Sequence, residues 1–330
     1  MVGAAPGSAH PHSGGTRPAA RTRWAWAPWA ALCWALGYGA LRIRWAVLGP
    51  PGFGVIGTDL IGFTGWGGVA LCGAAAAVAL AQAAGRWHRA VEVAGWLVAA
   101  LLVMACPLLL IDVVGLLLPG LGLPLDPGAF ASRGACLAGA VAVAAGTRGY
   151  RSRRPGGCAR CGRTGAAVRG ERLPAWAWWA AYAAVAGCAA RVAVQWAVGF
   201  ADAPLRAGAA LAVFDAGFAL AGSVLPLAVV HSWGWALPSW LPLLAGRRVP
   251  HRLVLVPAFA VAGALTAYFG AGTVQLAVET ATGTWTESEG LPLAFYWITM
   301  PAYLVWGLGL GAAALARHRL SRPPCPACGR

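Results

Sequence analysis

Apolar residues gather in eight stretches, at roughly 27–48, 63–83, 91–112, 129–147, 174–198, 208–230, 253–277 and 292–315, separated by shorter polar or glycine- and proline-rich segments. A helix needs about 20 mostly apolar residues to cross the hydrocarbon core of a bilayer, because every backbone amide in lipid must find its partner within its own helix. Each stretch is about that long. The pattern therefore predicts an all-α fold, a polytopic transmembrane helical bundle of about eight spans, with both chain ends on one side.

The arginines say which side. Arg17, Arg21 and Arg23 precede the first stretch, Arg86 and Arg89 follow the second, and eight arginines fall between Arg148 and Arg172. Arg247, Arg248 and Arg252 precede the seventh stretch, and Arg317, Arg319, Arg322 and Arg330 follow the eighth. These are 20 of the 25 arginines, all in alternate connections; the opposite connections hold Asp59, Asp126, Asp202, Glu279, Glu287 and Glu289, with Arg133 and Arg206. The positive-inside rule places both termini in the cytoplasm of a multi-pass cell-membrane protein. Tryptophans mark both boundaries: Trp24, Trp26, Trp87, Trp176, Trp233 and Trp240 at the inner one, Trp45, Trp66, Trp196 and Trp297 at the outer. A cleaved signal peptide is the competing reading of the first stretch, but that stretch is long for a signal core and resembles a later internal one.

Composition agrees with a membrane protein. The 330 residues are 59% hydrophobic and 11% charged, with a mean hydropathy of +0.65, more apolar surface than a soluble domain of this length buries. The formal charge of +15 suits anionic lipid headgroups at the cytoplasmic face, and no nucleic-acid partner is expected. Every basic residue counted in that charge is arginine, which excludes a P-loop and any lysine Schiff base. Neither His-Glu-x-x-His nor Gly-x-Ser-x-Gly occurs. The chain is expected to be something other than an enzyme. In its alanine- and glycine-rich spans and its use of arginine as the basic residue throughout, it resembles uncharacterised multi-pass membrane proteins of high-GC actinobacteria.

An internal repeat is visible. Trp26, Trp29 and Gly37 recur as Trp176, Trp179 and Gly187 at a shift of 150 positions, and Arg42 and Arg191 match within one position. The fourth stretch leads into Cys158-Ala159-Arg160-Cys161-Gly162-Arg163, and the eighth into Cys325-Pro326-Ala327-Cys328-Gly329-Arg330. The organisation read from this is a disordered cytoplasmic tail (1–23), a first four-span repeat (24–147), a cytoplasmic loop with Cys-x-x-Cys (148–172), a second four-span repeat (173–316) and a cytoplasmic tail with Cys-x-x-Cys (317–330). Four spans per half give the halves one orientation, related by a pseudo-twofold axis along the membrane normal. Both cysteine pairs then share the cytoplasmic face.

The two Cys-x-x-Cys-Gly-Arg segments resemble zinc knuckles. That resemblance implies Cys158, Cys161, Cys325 and Cys328 as ligands of one zinc ion, with Arg163 and Arg330 offsetting the −2 charge of four thiolates on the metal. A thiol–disulfide pair, an iron–sulfur site and reduced thiols without a metal stay open beside it. Cys33, Cys72, Cys106, Cys136 and Cys188 lie inside spans and are expected to pack as small apolar residues.

Within the spans, Arg42, Asp112, Arg191 and Asp215 carry charges that cost about 2.5–3.5 kcal/mol each at a helix centre. They are expected to pair as Arg42–Asp112 and Arg191–Asp215, whereas Arg44 is near enough its helix end to snorkel. Pro107, Pro226 and Pro301 interrupt spans, and His231 and His251 flank the sixth-to-seventh connection as surface residues. Three functions fit: a permease-like protein or regulatory scaffold with a cytoplasmic zinc clasp, a membrane thiol–disulfide oxidoreductase, or a small-solute or ion transporter with a water-lined cavity reaching the intramembrane charges.

Overall fold

A computed structural model describes residues 24–52, 63–84, 87–123, 125–156, 158, 173–198, 208–235, 249–285, 291–321 and 325. The tail 1–23, most of the cysteine-bearing loop 148–172, and Cys161 and Cys328 lie outside the described residues. Among the described residues the chain is helical and has no strand.

Helix α1 (Ala27–Leu48), α2 (Trp66–Ala84), the broken pair α3 (Arg89–Met104) and α4 (Leu109–Leu117), and α5 (Pro127–Arg151) make the first half. Helix α6 (Ala175–Val198), α7 (Ala209–Ala219) continuing through a π-helical segment (Leu220–Val224) into α8 (Leu225–Val230), α9 (His251–Thr282) and α10 (Leu293–Leu320) make the second. Six helical segments are long and apolar enough to cross a membrane, and the α3–α4 pair, bent by 45°, is a seventh if it forms one span. This is fewer than the eight read from the sequence. Helix α1 is long enough at 22 residues but is not among those six, because Arg42, Arg44, Trp29, Trp34, Tyr38 and Trp45 lower its hydropathy.

Local chemistry sets the helix ends and breaks. Asp126 caps α5, its Oδ1 accepting from Gly128 N at 2.8 Å and Ala129 N at 3.0 Å, with Pro127 in the first turn where its missing N–H costs nothing. Helix α9 stops at Gly283, whose φ of 68° is left-handed. Between α3 and α4, the Cys106 and Ala105 amides still bond back to Val103 and Leu101, but Pro107 has no amide to continue the ladder, and the chain bends. The π segment sits just ahead of Pro226, and Pro301 is accommodated inside an unbroken α10.

Each half has its own core. Ala31, Ala35, Leu71, Ala75, Leu102 and Val143 are among the buried residues of the first, and Ala181, Ala184, Val229, Ala258, Ala262 and Leu310 of the second. Small residues dominate both, because helices in lipid associate by close packing rather than by escape from water. Large apolar side chains such as Leu48, Leu117, Trp179 and Trp196 point outward instead. The neighbours are the same in both halves: α1 lies against α2 and α5, α6 lies against α8 and α10, α3 packs on α5, and α9 packs on α10. The halves meet where α3 and α4 cross α9, and where the turn Pro119–Leu121 reaches α7.

Candidate metal centre

The last helix of each half, α5 and α10, leads towards one cysteine of a close pair. Beyond α5 the chain turns, with Ser152 Oγ donating to Gly149 O at 2.6 Å and the Arg153 amide to Tyr150 O at 3.0 Å. Arg153 Nη1 donates to Gln82 O at 2.8 Å, and the Arg154 guanidinium lies over the Trp87 ring at 5.1 Å, so the turn is fastened to α2 and to the start of α3. Gly156 has a φ of 72°, a left-handed conformation that redirects the chain two residues before Cys158. Helix α10 ends comparably: the Ser321 amide donates to Arg317 O at 2.9 Å and Arg317 lies over the Trp235 ring at 4.0 Å.

Cys158 Sγ and Cys325 Sγ are then 4.0 Å apart, although 167 positions separate them in sequence. A disulfide would bring them to about 2.05 Å. Two thiolates of a tetrahedral zinc site, each about 2.3 Å from the metal, are about 3.8 Å apart. The observed separation is within about 0.2 Å of such an edge and is also that of a contact between two thiols. Cys325 is buried and Cys158 half-buried, so a metal there would be partly withdrawn from water. Among the described residues no group of three or more ligand-type side chains converges; Cys161 and Cys328, each three residues beyond a member of this pair, lie outside them. Of the other cysteines, Cys72, Cys106, Cys136 and Cys188 are buried as packing residues, whereas Cys33, expected to pack, is exposed on α1.

The structure brings neither expected intramembrane pair together. Asp112 pairs instead with Arg133, whose Nη1 is 2.6 Å from both carboxylate oxygens, in a site where the two side chains are 7% and 3% exposed. Arg42 donates to the Phe63 carbonyl and lies 5.9 Å and 5.7 Å from the Tyr38 and Trp45 ring centres. Beside it, the Tyr38 and Ser132 hydroxyls are 2.7 Å apart. Arg191 donates from Nε to the Tyr303 hydroxyl at 3.0 Å and lies over the Phe295 and Tyr303 rings, while Asp215 is exposed on α7. The physical reason is helix rotation: hydropathy gives the depth of a charge but not the face it occupies. Arg133 belongs to α5 rather than to an outer connection, and its place within the 129–147 apolar stretch is the sequence signal for that.

The histidines are built into aromatic contacts. His231 Nδ1 is 3.1 Å from Leu227 O and its ring meets Trp178 edge-on at 4.8 Å, while His251 is 6.3 Å from Trp235. No family model, no curated protein and no solved structure matches this chain.

Proposed function

We propose that the protein is an eight-span membrane scaffold, permease-like in architecture, whose two four-span halves are clasped at the cytoplasmic face by one zinc ion held by Cys158, Cys161, Cys325 and Cys328. The observation that carries this reading is the 4.0 Å approach of Cys158 Sγ to Cys325 Sγ, two sulfurs from matching motifs at the ends of matching helices. The separate cores and the shared order of helix neighbours support treating the halves as repeats. In this reading α1 is a span despite its arginines, because Arg42 is supplied with a carbonyl and two aromatic faces.

The zinc supplies no reaction in this role. It joins two segments too short to build a core between them, as small units without a core require a staple. The transport reading loses support because Asp112 is sealed against Arg133 rather than open to a cavity.

Metal analysis of detergent-purified protein tests the clasp: about one zinc per chain is expected, and C325S/C328S is expected to lose it while remaining monodisperse. Protein free of metal after purification without chelator would sink the clasp. Topology is tested separately. Reporter fusions at Thr284 are expected to report the outer side, and fusions at Ser321 the cytoplasm; cytoplasmic signals at both sites would overturn the eight-span arrangement.

A further inference from the structure

We infer that Cys158 and Cys325 are also a redox pair, which closes into a disulfide between the two halves when the metal is absent, with Cys158 as the attacking thiol and Cys325 as the resolving one. This rests on the zinc clasp as the reduced state of the same site. The sulfurs stand 4.0 Å apart, so closing them to about 2.05 Å needs a shift of about 2 Å shared between two segments that follow helix ends.

Exposure assigns the roles. Cys158 is half-buried and Cys325 buried, so an oxidant from solvent meets Cys158 first. With a small-molecule disulfide as oxidant, the Cys158 thiolate attacks one of its sulfurs and a first small thiol leaves. The Cys325 thiolate then attacks the Cys158 sulfur of that mixed disulfide and displaces the second small thiol. Two cysteines lose two electrons in all, the small disulfide gains them, and the two cysteine protons end on the two released thiols. Zinc prevents the reaction by holding both sulfurs as ligands.

The test uses the full-length protein with a specific protease site inserted between Gly170 and Glu171, in detergent, treated with glutathione disulfide and cut before a non-reducing gel. Chelator-treated C161S/C328S, which keeps Cys158 and Cys325 but removes their competing partners, is expected to run as joined halves that separate on reduction. C161S/C328S/C325S is expected to hold a glutathione adduct on Cys158, and C161S/C328S/C158S to take up at least about tenfold less at Cys325. Zinc-loaded wild type is expected to cross-link at least about tenfold less than the chelated form. Disulfide mapping of chelated wild type by mass spectrometry gives the same readout without any substitution. Halves that separate, with no Cys158–Cys325 peptide, overturn the inference even where zinc is present and the clasp stands. Cross-linking that ignores zinc overturns the metal gating, and absence of zinc altogether overturns the clasp itself.

Discussion

Replacing Asp112 by alanine is expected to destabilise the detergent-solubilised protein by about 3–5 kcal/mol, the cost of leaving one partner of a buried ion pair uncompensated. Arg133 would keep its charge at a site where it is 3% exposed, with the carboxylate that takes two hydrogen bonds from its Nη1 removed. The loss should also free α4, a helix of nine residues that Pro107 has already separated from α3 and that this pair ties to α5. R133A is expected to cost a similar amount. The double variant D112L/R133M removes both charges and should recover most of the stability, because a buried pair is frequently no better than well-packed apolar side chains of similar volume. Unfolding of each variant in a fixed detergent, followed by circular dichroism, reads the effect. A D112A variant within about 1 kcal/mol of wild type would show the pair to be solvated, as exposed pairs are.

Gly309→Leu is expected to cost about 3 kcal/mol or more, at or above the upper end for overpacking. A side chain at Gly309 would run into the Ala180 carbonyl and the Ala184 amide of α6, and one at Gly187 into the Ala302 carbonyl of α10. Both obstacles are backbone, which cannot rotate aside as a side chain can. The α6–α10 axes would have to separate, and the contacts around Trp306, Ala184 and Leu310 in the second core would open. Gly37→Ala is the control, since nothing lies within 4 Å of a Cβ there, and it should be neutral or slightly stabilising by helix propensity. The yield of monodisperse protein and its unfolding midpoint measure both substitutions. Equal stability of the Gly309 and Gly37 variants would contradict the close approach.

These two expectations mark where the sequence was readable and where it was not. Apolar stretches located the helices well: α1 and α6 follow theirs within a residue, and α9 and α10 each run about one turn past theirs into the polar boundary, since a helix need not end where the lipid does. The number of spans was less legible, because aromatic residues and arginines at interface depth pull α1 below an ordinary span without preventing a helix. Proline announced the bend at Pro107, whereas the π segment at Leu220–Val224 leaves no compositional mark beyond the Pro226 that follows it. Pairings were the least legible feature. Asp112 could be seen to need a partner, but choosing Arg133 over Arg42 depends on how α5 is rotated, with Gly139 packed against Trp34, and periodicity does not give that rotation. The four cysteines proposed as the clasp are marked by a motif that resembles a zinc knuckle and by its repetition, since a motif duplicated at the end of each half is a stronger signal than either copy.

The most direct test of the clasp is X-ray absorption at the zinc edge on the purified protein, with no zinc added after lysis. The proposed clasp predicts four sulfur atoms around the metal at about 2.3 Å, two of them the Cys158 and Cys325 sulfurs that stand 4.0 Å apart, and loss of those sulfurs in C325S/C328S. A shell dominated by nitrogen or oxygen, or the absence of bound zinc, would contradict it.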